Sequence, residues 1–149
     1  MMNLYAIETE LNGKLETLLT LFDGPTMAEL KNNKAILGML KNPQDSIVHH
    51  NINYNPEFVD LFHKTMLFFA EMATGSNPIT TNGFMYVIDE RCTNPESPEQ
   101  KDIIGSFEVR AGQVLKETYQ PNKHYQFISD DGLFKLPLQI EKVLFLALV

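Results

Sequence analysis

The spacing of hydrophobic and polar residues changes rhythm several times along this chain, and each change marks a predicted element. Leu4, Ile7, Leu11, Leu15, Leu18 and Phe22 recur at i, i+3, i+4 intervals, which predicts an amphipathic helix over 4–22 with Asn3 as its cap. The same stretch also supports two strands, because Asn12-Gly13 lies between apolar runs and such a pair favours a tight hairpin. Its Leu, Glu and Lys content weighs toward helix, so helix is the expected state. Asp23-Gly24-Pro25 is a stop, and Thr26 with Glu29 three residues later makes a capping-box pattern. Met27, Leu30, Ile36, Leu37, Met39 and Leu40 then predict a second helix to about Lys41, with Gly38 its weak point, ended by Asn42-Pro43. Residues 43–55 read as a polar connection with a short extended piece at Ile47-Val48.

Asn55-Pro56 opens the clearest helix, Asn as cap and Pro at the first helical position, running to Gly75. Phe58, Leu61, Phe62, Met66, Phe69 and Met72 give it a broad apolar face, suited to burial nearly all round or to a core on one side and a partner on the other. After a turn at 76–83, Phe84–Glu90 is apolar on both faces until its end and is expected to be a central strand. The proline-containing run 92–102 reads as an exposed loop. Ile103–Arg110 and Gln113–Tyr119 flank Ala111-Gly112 as a hairpin, Gln120–Lys123 is a turn, and Tyr125–Ser129 is a third strand closed by Asp130-Asp131-Gly132. Leu138–Leu148 has helical spacing, with a terminal strand as the rival reading. The expected architecture is α+β: N-terminal helices over about 1–75, packed on a C-terminal antiparallel sheet of about four strands, with a C-terminal helix.

Composition narrows the class. The 149 residues suit one domain of ordinary size, able to bury a core without disulfides or metal. The lone Cys92 makes no internal disulfide, the N-terminus has no signal-peptide pattern, and no apolar run is long enough to span a bilayer. A reducing cytoplasm is the expected location. The formal charge of −7 is unevenly spread: residues 84–102 hold five acids against two bases, whereas 31–42 hold three lysines and no acid. Acidic balance argues against nucleic acid, whose phosphates require clustered cations, and suits a basic protein partner.

Candidate chemistry is sparse. Asp60 and His63 lie on adjacent turns of the 56–75 helix, and His49-His50 precede it, but no HExxH-type spacing accompanies them, so no metal or cofactor is expected. Cys92 could be drawn as a nucleophile with His124 as base, yet no oxyanion motif or orienting third residue supports that; a strand-end salt bridge among Asp89, Glu90 and Arg91 is the plainer reading. The glycines of 103–137 match no phosphate loop and its aromatics alternate as a core face does. What remains is an acidic rim of Asp89, Glu90, Glu96, Glu99 and Asp102, joined by Asp130 and Asp131 if the turns cluster. The leading expectation is therefore a non-enzymatic protein-binding domain, an inhibitor or immunity-type protein that neutralises a basic partner such as a nuclease toxin. One alternative is a ligand-binding or enzymatic pocket between the central helix and the sheet, using Asp60, His63 and His124. Another is a homo-oligomer with helix 56–74 as its seam.

Overall fold

An Asn-Gly pair decides how the chain begins. In the computed structural model, which describes residues 2–73 and 82–149, Asn12 and Gly13 take φ of 53° and 79°, the left-handed pair of a tight hairpin. β1 (Tyr5–Leu11) and β2 (Lys14–Thr20) pair in full register from Tyr5 opposite Thr20 to Leu11 opposite Lys14. The helical spacing of leucines over 4–22 was thus a coincidence of two alternating strands. A helix through this stretch would carry Gly13 in its interior at a cost of about 1 kcal/mol.

Asp23 then accepts a hydrogen bond from the Thr26 N–H at 2.9 Å and caps α1 (Gly24–Leu30), which stops at Lys31 in a left-handed conformation. The predicted helix to Lys41 is cut short. Residues 36–40 form β3 (Ile36–Leu40) between β2 and β4 (Ile52–Tyr54), so the first sheet runs β1-β2-β3-β4, all antiparallel. Gly38 shows why a strand wins: a Cβ there would lie 2.6 Å from the carbonyl oxygen of Asn53, so only glycine lets β4 approach.

α2 (Pro56–Thr65) starts where the sequence indicates, with Asn55 Oδ1 accepting from the Glu57 N–H at 3.2 Å. A break at Met66-Leu67 separates it from α3 (Phe68–Ala73). The expected stop at Gly75 lies outside the described residues, as does most of the 76–83 turn. β5 (Asn82–Ile88), β6 (Ile103–Arg110) and β7 (Gln113–Pro121) form a second antiparallel sheet with β6 in the middle. Among the described residues β5 is therefore an edge, not the expected central strand, and its Phe84 and Tyr86 are exposed. The expected third strand at 125–129 shrinks to β8 (Ile128–Ser129), paired among the described residues with β9 (Gly132–Leu133) alone. The Gln126 carbonyl accepts from the Arg91 guanidinium, and the Phe127 carbonyl accepts from both Arg91 and the Phe134 N–H, the latter at 2.8 Å. α4 (Leu138–Leu148) follows as a helix, and Asn32 Nδ2 donates to its Leu148 carbonyl at 2.9 Å.

The expected helical N-terminal half is thereby overturned. Nine strands in three sheets dominate the described residues, with helices scattered between them. One buried cluster joins Leu19, Leu37 and Ile52 of the first sheet, Phe58 and Phe62 of α2, Ile104 and Phe107 of the second sheet, and Leu144 and Leu148 of α4. At its centre Phe62 packs edge-on against Phe127 and Phe134, with centroids 4.7 and 5.1 Å away. Among the described residues no helix is long and apolar enough to cross a membrane.

Candidate functional site

Asn55 does more than cap α2. Its Nδ2 donates at 2.8 Å to the carbonyls of Asn33 and Ile36, anchoring the helix start to the entry of β3. The inward face of α2 is spent on the core through Phe58 and Phe62, which leaves Val59, Asp60 and His63 to line one side of a surface cleft. The segment after β7 forms the opposite side. Asn122 staples that segment down, its Nδ2 donating to the carbonyls of Gln100 at 2.9 Å and Ile103 at 2.8 Å. The cleft measures about 530 Å³, with Pro121, Lys123 and Phe127 across from the helix and His49 and Tyr54 at one end.

A break in the β6–β7 register brings His63 a polar partner from outside the cleft lining. Thr118 Oγ1 donates to the Leu115 carbonyl at 2.6 Å and accepts from the Glu108 N–H at 2.7 Å, holding out a bulge over 116–119. This places the Tyr119 ring over Gly105, where a Cβ would stand 2.6 Å from the phenol oxygen. The Tyr119 hydroxyl then sits 2.7 Å from His63 Nδ1. A second pair repeats the motif, with His49 Nδ1 3.0 Å from the Tyr54 hydroxyl. Each imidazole thus commits Nδ1 to a tyrosine.

Burial governs the protonation of these groups. It pushes His63 down to about 4, outweighing the attraction of the Asp60 carboxylate. It also lowers His49, helped by the neighbouring charges of His50 and Lys41. The Tyr54 phenol is pushed up to about 12 and that of Tyr119 is raised as well, again by burial. Near neutral pH the site therefore holds two neutral imidazoles and two neutral phenols. Asp60 pairs with Lys64 at 2.9 Å, both ends well exposed, a contact of little energetic weight.

Of the residues expected to form a pocket, Asp60 and His63 come together, whereas His124 is exposed and does not line the cleft. His49 and Tyr54 were not expected to line it, nor Tyr119 to meet His63. The His63–Tyr119 pair spans 56 positions and has no local signature. Among the described residues no group of three His, Cys, Asp or Glu is placed to hold a metal ion.

The acidic rim divides into two populations. Asp89 and Asp102 are only 1% and 4% exposed and cannot present charge to a partner. They flank Arg91, whose side chain is 4% exposed and whose Nε donates to Asp102 Oδ1 at 3.0 Å, with Asp89 Oδ2 at 3.7 Å. Its Nη groups donate to the carbonyls of Lys101 and Gly132 at 3.0 Å, Phe127 at 3.2 Å, and Gln126. Asp89 also accepts from the Tyr125 hydroxyl at 2.6 Å and from the Arg91 and Lys135 N–H groups at 3.0 Å. Desolvation still raises its carboxyl above the usual range. These two acids serve a buried clasp. Glu90, Glu96, Glu99, Asp130 and Asp131 remain exposed, and Cys92 is half-buried. Lys101 bridges Asp131 at 2.8 Å and Glu99 at 3.6 Å, drawing the 130–132 turn onto the 92–102 loop.

No protein-family model, no curated protein and no solved structure matches the chain.

Proposed function

We propose that this protein binds a small, mainly apolar ligand in the cleft between α2 and residues 121–127. The observation that carries this reading is the convergence of two tyrosine-bridged histidines, His49 and His63, on one concave surface lined by Val59, Pro121 and Phe127. Concave apolar walls with a few fixed polar groups are what small-molecule sites share. Neutral imidazoles suit an uncharged hydrogen-bonding ligand, such as a planar heterocycle, better than an anion. Ligand-observed NMR with indole, benzimidazole and phenol tests the proposal. Binding should shift the backbone signals of 56–63 and 121–127 and should be lost in Val59→Trp, which fills the cleft. Signals in those segments that stay unmoved at millimolar fragment would overturn it.

A second reading, a protein-binding domain that neutralises a basic partner, draws support from Lys101. That lysine brings Glu99 and Asp131 together, with Glu96 and Asp130 also exposed on the two loops it joins. Reversing Glu96, Glu99 and Asp130 to lysine should abolish capture of a basic protein from a cell extract. Unchanged capture sinks this reading and leaves the cleft untouched.

A further inference from the structure

The cleft between α2 and residues 121–127 carries a local charge opposite to that of the chain. The protein as a whole has a formal charge of −7, with 19 acids against 12 lysines and arginines. Asp60 is the one acid among the residues lining the cleft, and Lys64, on the next turn of α2, neutralises it at 2.9 Å. Lys123 lines the opposite side, is exposed, and has no hydrogen-bond acceptor or carboxylate partner among the described residues. At the end formed by His49 and Tyr54, the positive charge of Lys41 reaches the His49 imidazole. An anionic group entering this site meets a cation without a competing carboxylate.

The turn that carries Lys123 is pinned on both sides. The Asn122 N–H donates to the Ile104 carbonyl at 2.9 Å, and the Asn122 carbonyl accepts from the Tyr125 N–H at 3.1 Å. Asn122 Oδ1 accepts from the His124 N–H at 3.2 Å, while its Nδ2 holds the Gln100 and Ile103 carbonyls. The Lys123 backbone is thereby fixed at the mouth of the cleft, and its side chain is left to reach a ligand. The same bonds consume the N–H groups of residues 122, 124 and 125, so the turn offers no nest of amides for a phosphate. One ammonium without such a nest matches a single carboxylate.

We propose that the cleft selects a planar aromatic acid, its ring between Val59 and Phe127 and its carboxylate on the Lys123 ammonium. This selection presupposes that the cleft is a ligand site, and it names the chemical class the site takes. The ring, which is uncharged, lies among the apolar walls and neutral imidazoles. The carboxylate stays at the mouth beside an exposed cation, where it keeps much of its hydration.

Backbone-amide NMR titrations of the full chain with indole-3-acetate, indole and tryptamine test the selection separately from the cleft. At low salt indole-3-acetate should bind about 3-fold tighter than indole, the size expected of an exposed ion pair, and high salt should erase the difference. Tryptamine should bind no better than indole. Lys123→Gln should bring indole-3-acetate down to the affinity of indole without changing indole itself, and Lys123→Glu should turn the preference toward tryptamine. Lys142→Glu, on α4 and outside the cleft lining, makes the same change in net charge and should leave the preference intact. The charge assignment is overturned, with the cleft left standing, if indole binds and its acid gains nothing. A gain that survives Lys123→Gln, or that Lys142→Glu also removes, overturns it equally. If none of the three probes moves the signals of 56–63 and 121–127, the ligand-binding reading falls and the selection with it.

Discussion

Arg91 ties residues 101–102, 126–127 and 132 together, and replacing it with alanine gives a sharp prediction. The guanidinium lies between two buried carboxylates and donates to four backbone carbonyls from three segments: Lys101, Gln126 and Phe127, and Gly132. Arg91→Ala removes the only basic side chain paired with Asp89 or Asp102 among the described residues. Breaking a buried ion pair from one side costs about 3–5 kcal/mol, because the remaining charge stays desolvated. The orphaned carbonyls add to that, though water entering the gap recovers part of their hydrogen bonding. Against a total stability of about 5–15 kcal/mol for a domain, the loss takes a large share. Urea unfolding followed by circular dichroism reads it as a lower midpoint at unchanged slope. Arg91→Lys should recover less than half of the loss, since an ammonium has three donors and no planar fork. Asp102→Asn should cost less in the Arg91→Ala background than in the wild type, as coupled partners do. A loss below about 1 kcal/mol for Arg91→Ala, the size of one ordinary hydrogen bond, would refute the clasp.

Acid should destabilise the fold through His63, whose value drops from 6.5 when unfolded to about 4 when folded. Between those values the unfolded chain binds more protons, so stability is complete above pH 6.5 and falls as pH drops toward 4, by no more than about 3 kcal/mol. His63→Gln keeps a partner for Tyr119 but does not titrate, so its urea midpoint should change less between pH 7 and pH 4.5; equal changes would remove His63 from the account. Gly38→Ala tests the strand assignment by sign, because the added Cβ would press on the Asn53 carbonyl. It should destabilise by about 1–3 kcal/mol, whereas a helix at 36–40 would gain about 1 kcal/mol, so a raised urea midpoint would contradict β3.

Several elements were legible because their determinants are local. Asn55-Pro56 marks the start of α2, Ala111-Gly112 turns β6 into β7 with φ of 50° and 75°, and Leu138–Leu148 is the expected helix. The Asn12-Gly13 turn was equally visible, but leucine spacing that fits both periods hid the strands on either side of it. Residues 36–40 were misread for a related reason. Their apolar run suits either state, and only β2 and β4 alongside make it a strand.

The amino-acid sequence by itself determined the two glycine hairpin turns and the Asn55 cap, which depend on neighbours a few positions away, along with the supply of core residues and the charge balance. The tertiary structure alone decided which edges pair, where β5 sits, and which polar residues meet. Arg91 collects carbonyls up to 41 positions distant, and Tyr119 reaches His63 across 56, contacts that exist only once two sheets and a helix have packed. That is also why Asp89 and Asp102, which read as surface charge in the sequence, are buried: their value lies in a cation and a hydroxyl brought to them by the fold.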